Sequence, residues 1–103
     1  MAYSVDQFRK LNRPSNMVVT QHSRKRFAER NISLQDICNV FDNGEIIKDY
    51  PTDSPFPSCL ILGKSNGRSI HVCASIDEDM IYLITAYVPS PDKWEQDLKT
   101  RRR

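Results

Sequence analysis

The chain has 103 residues, 39% of them hydrophobic and 27% charged, a profile that fits one compact globular domain and excludes two. A net charge of +2 does not by itself announce a nucleic-acid binder, because the field of the whole molecule is modest, and the longest mainly apolar run, residues 80–88, falls far short of the roughly 20 residues a membrane helix needs. The opening MAYSVDQFRK is too polar for a signal peptide, so a cytoplasmic protein with no membrane partner is expected.

Residues 1–16 read as an N-terminal extension, in which a short helix fits Asp6 to Leu11 before Pro14 and its polar neighbours break it. The domain proper is placed at residues 17–103. MVVT offers a short extended piece, and a helix follows over QHSRKRFAERN, capped by Thr20 or Ser23. In SLQDICNVFDNG, Ser33 and Asp36 resemble a capping box with Asp in place of the usual Glu. Leu34, Ile37, Val40 and Phe41 there form an apolar helical stripe, and Gly44 supplies the stop. Beyond Gly44 the period changes. EIIKDY, SCLILG, SIHVCASI and MIYLITAYV are rich in Ile, Leu, Val and Tyr and bounded by Pro, Gly or acidic clusters, the pattern of successive strands with antiparallel neighbours. In SPDKWEQDLKT, Pro91 and Asp92 are helix-start residues, with Trp94 and Leu98 one turn apart to pack on the body. The expected fold is therefore α+β: two helices packed on a four-stranded, mainly antiparallel sheet, then a short C-terminal helix, with the other sheet face open for a site.

Cys38, Cys59 and Cys73 are widely spaced and odd in number, which predicts small core residues rather than disulfides or a metal knuckle. The basic residues are clustered: Arg24, Lys25, Arg26 and Arg30 lie close together, and Arg101, Arg102 and Arg103 close the chain. His22, Arg26 and Arg30 recur every four residues, setting one imidazole beside two guanidiniums on adjacent helical turns. Guanidinium groups recognise phosphate in bidentate fashion, and a neighbouring imidazole moves protons near neutral pH. Taken alone, the same stripe reads more readily as a solvated helix face carrying a chance histidine, which is what charge runs usually are. His71, between Ile70 and Val72, fits either a buried, hydrogen-bonded histidine or a catalytic one. Thr85 and Tyr87 are ordinary strand residues unless the register gathers them with His71. A three-residue turn over Asp77 to Asp79 sets His71 opposite Thr85 with Tyr87 on the same face; a four-residue loop opposes Val72 and Thr85. The first register gathers the polar groups and is preferred. In DYPTDSPFPS, Tyr50 and Phe56 either pack under the loop or stack on bases.

Taken in order, TQHSRKRFAERNIS, NGEIIKDYPTDSPFPSCLILG, GRSIHVCASI, ITAYVPSPDKW and the terminal RRR resemble a family of small bacterial proteins, formally a domain of unknown function, whose members are similar to the RelE, BrnT and MqsR toxins. The resemblance covers residues 17–102 or so; Ile70 stands where leucine commonly precedes the histidine. It implies a RelE-like fold and a toxin-antitoxin-like role, with messenger RNA, including ribosome-bound transcripts, as substrate and a small antitoxin of the zinc-finger MqsA type as partner. Metal-free RNA cleavage needs a base for the attacking 2'-hydroxyl, cations for the charge developing on phosphorus, and an acid for the leaving oxygen. The residues available are His22 and His71 as base and acid, Arg24, Arg26 and Arg30 on phosphate, and Tyr87 and Thr85 orienting the backbone. No cofactor is expected, and the two histidines and dispersed acids show no metal-ligand spacing. The alternative is a catalytically inactive module of the same fold that binds protein or nucleic acid.

Overall fold

The computed structural model describes residues 3–102, so Arg103 of the basic terminus lies outside the described residues. Helix α1 (Val5–Lys10) and a 3-10 turn (Pro14–Asn16) lead into strand β1 (Met17–Val19). Helices α2 (Gln21–Glu29) and α3 (Leu34–Asn43) follow, and then strands β2 (Glu45–Tyr50), β3 (Ser58–Ser65), β4 (Arg68–Asp77) and β5 (Met80–Tyr87). The strands form one five-stranded sheet in the order β1-β5-β4-β3-β2. The architecture is α+β as expected, with three corrections.

The first concerns strand number. The short extended piece MVV joins the sheet as a fifth strand, parallel to β5 with Met17 beside Ile81 and Val19 beside Leu83, so the sheet is mixed rather than four-stranded and antiparallel. Three residues are too few to show a period, which hid the strand among its neighbours.

The second concerns the N-terminal extension, which is built into the core. Phe8 is fully buried and stacks on Phe41 with ring centroids 5.2 Å apart. Arg9 donates to the carbonyls of Phe41 and Gly44 at 3.0 and 2.9 Å, satisfying acceptors that the end of α3 leaves without helical partners.

The third concerns the C-terminus, where residues 91–102 form a closed loop instead of a helix. Asp97 accepts from the backbone N–H groups of Lys99 and Thr100, Leu98 takes a positive φ of 60°, and Arg102 N–H donates to the Lys93 carbonyl. Local side-chain bonding of this kind competes with helix formation.

The capping box at Ser33 and Asp36 forms as read, and α3 lies unusually close to β3. A Cβ on Gly63 would stand 2.7 Å from the Val40 carbonyl and 2.8 Å from its Cα, so only glycine admits this approach. Asp36 also ties the helix to the β3–β4 turn, accepting from Ser65 at 2.6 Å and from Asn66 and Arg68. Burial pushes its carboxyl up, but the hydrogen bonds from Ser33 and Ser65 and the Arg68 charge outweigh that and hold it below its ordinary value.

The helices cover one face of the sheet, where Ile61, Val72, Ala74, Leu83 and Ala86 meet Phe27, Ile37, Val40 and Phe41. On the opposite face Leu60 and Cys73 are covered by Trp94 and Leu98 of the C-terminal loop. All three cysteines are free and buried. No helix among the described residues is long and apolar enough to cross a membrane. Because Phe8 sits inside the main core, Phe8→Ala is expected to cost about 3–5 kcal/mol of unfolding free energy in urea titrations, where a detached extension would leave stability unchanged.

Candidate functional site

The β4–β5 hairpin decides which side chains meet. Its turn is shorter than either register read from the sequence: Asp77 pairs with Met80, leaving Glu78 and Asp79 as the turn, with Glu78 at a φ of 55°. Ser75 pairs with Tyr82 and Ala74 with Leu83, but the next partners are Cys73 and Thr85, so Ile84 is an unpaired bulge. After the bulge Val72 faces Ala86 and His71 faces Tyr87. One extra residue in a strand reverses the facing of everything beyond it. Tyr82 and Tyr87, five residues apart, therefore share the face opposite the helices with Ser75, Cys73 and His71. His71 and Tyr87 do meet on one face, though through a different pairing from the expected opposition of His71 and Thr85.

His71 is fully buried. Its Nε2 stands 2.7 Å from the Leu98 carbonyl oxygen, and its Nδ1 3.3 Å from the Tyr87 hydroxyl. A carbonyl only accepts, so Nε2 carries the proton and the Tyr87 hydroxyl donates to Nδ1. Trp94 closes over the imidazole edge-on, with centroids 4.5 Å apart and planes at 89°. Burial pushes the His71 pKa down, against the Leu98 hydrogen bond, which raises it. The ring is thus a neutral anchor with both nitrogens engaged, and the acid role expected for it does not fit.

In front of this pair, Arg30, Tyr87, Ser90, Lys93, Trp94 and Arg101 line a recess of about 370 Å³. Arg30 reaches it from the end of α2, where its Nη1 donates to the Ala86 carbonyl at 2.8 Å and to the Thr85 hydroxyl at 3.3 Å. That contact covers backbone of β5 beyond the end of the short strand β1. Arg101 rests its guanidinium over the Trp94 ring, 5.7 Å from the centroid, an arrangement favoured by the ring's negative face. The loop carrying Lys93, Trp94 and Arg101 closes through the Trp94–Arg101 bridge and is tied down by Leu98 on His71 and by an ion pair from Lys99 to Glu45. Among the described residues none of Arg30, Lys93 and Arg101 forms an ion pair. Burial pushes the Tyr87 phenol up, with Arg101 and Arg30 pulling the other way, so it stays protonated near neutrality.

The rest of the expected stripe stands elsewhere. Of the helix α2 residues, Ser23 and Phe27 face inward, while His22, Arg24 and Arg26 are exposed. A step of four residues turns about 40° past a full turn, so by Arg30 the row has rotated to the side of Ser23 and Phe27. His22 and Arg24 border a separate shallow surface with Gln21, Lys25 and Ala28, and Arg26 pairs with Glu29 at 3.7 Å. His22, Arg24 and Arg26, expected to act with His71 and Tyr87, therefore do not share a recess with them. Lys93 and Arg101 are the site residues that sequence reasoning missed; the basic terminus and the Trp94 and Leu98 pair carried the signal, but not the fold-back that brings them to Tyr87. Tyr50 packs against the Leu60 and Cys73 cluster, and Phe56 lies on Tyr82. No group of three or more His, Cys, Asp and Glu side chains converges among the described residues.

A family model described as a domain of unknown function (DUF4258) matches residues 19–88. The chain belongs to this DUF4258 family. The DUF4258 match runs from the end of β1 through β5 and takes in Arg30, His71, Thr85 and Tyr87, while Lys93, Trp94 and Arg101 lie beyond it. No curated protein and no solved structure matches the chain.

The buried neutral His71 sets a pH signature. Its pKa is lowered in the folded state, so between that value and the ordinary 6.5 the unfolded chain binds more protons. Its contribution is complete above pH 6.5 and is lost as pH falls through the folded pKa. Chemical denaturation at stepped pH should show stability falling below about 6.5 with a slope of up to about 1.4 kcal/mol per pH unit from this group, and His71→Gln should flatten that window.

Proposed function

We propose that the Tyr87 recess binds the phosphodiester backbone of single-stranded RNA and that the protein is a RelE-like, toxin-type endoribonuclease acting on messenger RNA without a metal. The observation that carries the reading is that Arg30, Lys93 and Arg101, none of them ion-paired among the described residues, line one recess with Tyr87. Unneutralised cations in a recess with a low-dielectric wall attract phosphate strongly, and guanidiniums do so in bidentate fashion. The packing of α2 and α3 on one sheet face also agrees with the RelE-like reading.

In this chemistry the 2'-oxygen gives its proton to solvent water and attacks the neighbouring phosphorus, forming a bond to it as the bond to the 5'-oxygen breaks, and the leaving 5'-oxygen takes a proton back from solvent. Arg30, Lys93 and Arg101 offset the charge that develops on the phosphoryl oxygens. Tyr87, whose own proton points at His71 Nδ1, presents an oxygen lone pair that orients the 2'-hydroxyl. His71 is a positioning residue. The partner implied is a small antitoxin, for which β1 and β2, the outermost strands among the described residues, offer sheet edges.

One observation favours a second reading, an RNA-binding module without turnover: the buried histidine has no free nitrogen and the other lines none of the recess. Cleavage of single-stranded RNA in the presence of chelator separates the two. On the enzyme reading Tyr87→Phe, which removes the group that orients the 2'-hydroxyl, slows cleavage by about a hundredfold at unchanged affinity; a wild-type protein that binds RNA without cutting it supports the module. On both readings Lys93→Gln and Arg101→Gln each lower the slope of log affinity against log salt by about 0.7, and unchanged slopes would exclude the recess as the phosphate site.

A further inference from the structure

We propose that a second cavity on the same sheet face, between the proline-rich β2–β3 loop and the β1–β5 edge, is a subsite for a single nucleobase; this inference rests on the reading of the Tyr87 recess as an RNA-backbone site. The cavity encloses about 440 Å³ and is lined by Val18, Asp53, Phe56, Ser75, Tyr82 and Ile84 among others. That volume lies within the range of small-ligand sites. The Ile84 bulge puts Tyr82 on the face that carries Tyr87, and the two are at most about 16.5 Å apart along the strand at roughly 3.3 Å per residue. A few nucleotides of extended strand would cover that distance.

The lining has the chemistry of a base. The Phe56 and Tyr82 rings, both half-buried, meet with centroids 5.8 Å apart at a tilt of 42°, so they do not stack flat on each other and leave ring surface to the cavity. Ser75 is only 3% exposed, yet its hydroxyl makes no hydrogen bond to any described residue, and it lines the cavity. Asp53 stands at the rim, its carboxylate held by the Ser58 hydroxyl at 2.7 Å and the Ser54 N–H at 3.1 Å, with further lone pairs open. Covering the Ser75 hydroxyl with an aliphatic side chain would bury it without a partner and would desolvate the Asp53 carboxylate, costs that oppose docking of an apolar protein segment. A nucleobase brings a π-face for the aromatics and donors and acceptors for Ser75 and Asp53 at once.

The test compares two single strands of about ten nucleotides, both with 2'-O-methyl sugars so that no attack occurs: an oligocytidine and an abasic backbone of equal charge. Wild-type protein should bind the oligocytidine about tenfold more tightly than the abasic strand. Phe56→Ala and Ser75→Val should each bring that ratio close to one while leaving abasic affinity unchanged, a control that also reports an intact fold. A wild-type ratio near one, or a ratio that survives both substitutions, overturns the base subsite and leaves the phosphate reading standing. Failure of wild type to bind either strand overturns both. A wild-type ratio near one combined with loss of a co-expressed protein partner in Phe56→Ala would assign the cavity to that partner instead.

Discussion

The bulge at Ile84 is the constraint on which the functional face depends. In an uninterrupted ladder, residues five apart on one strand point to opposite sides of the sheet. With Ile84 unpaired, Tyr82 keeps company with Ser75, and Tyr87 with His71, on a single face. Helix α2 holds the irregular segment from the edge: Ser23 donates to the Ile84 carbonyl at 3.0 Å and Arg30 to the Ala86 carbonyl at 2.8 Å. The same helix that covers the core thus fixes the kink and delivers a cation to the recess. Beyond the bulge Ala86 still faces the main core, so the shift in register leaves the apolar side continuous.

His71 joins this face to the chain's end. An imidazole removed from water is tolerated because both of its nitrogens are paired. One pairing aims the Tyr87 hydroxyl, and the other holds Leu98 and with it the loop that carries Lys93 and Arg101. Three positive side chains around one recess repel one another, an arrangement that salt screens only in part where the wall is protein. Trp94 beneath Arg101 and the backbone carbonyl beyond Arg30 supply local compensation, leaving the outward field for an anion.

Much of the scaffold was legible because its signals are local. The Ser33 and Asp36 cap, the apolar stripe of α3 and the runs of β-branched residues in β3 to β5 each declare their element within a few residues. The site was less legible because it depends on offsets that periodicity does not report. A single unpaired residue in IYLITAYV leaves no mark except that Tyr82 and Tyr87 stand an odd number of residues apart. The four-residue spacing of His22, Arg26 and Arg30 was real, yet the drift of the helix separates its ends, so only Arg30 reaches Tyr87. Trp94 and Leu98 were placed on the body correctly, but for a helix that Asp97 and the positive φ of Leu98 replace with a loop. Phe8 looked detached because its partner Phe41 lies on another helix.

The most direct measurement is an amide chemical-shift map of the protein titrated with a non-cleavable single-stranded RNA. Shifts are expected at Thr85, Tyr87, Ser90, Lys93 and Arg101 and at the end of α2 near Arg30, with His22, Arg24 and Lys25 unmoved. Shifts confined to His22, Arg24 and Lys25, with the recess silent, would contradict the placement of the RNA backbone at Tyr87.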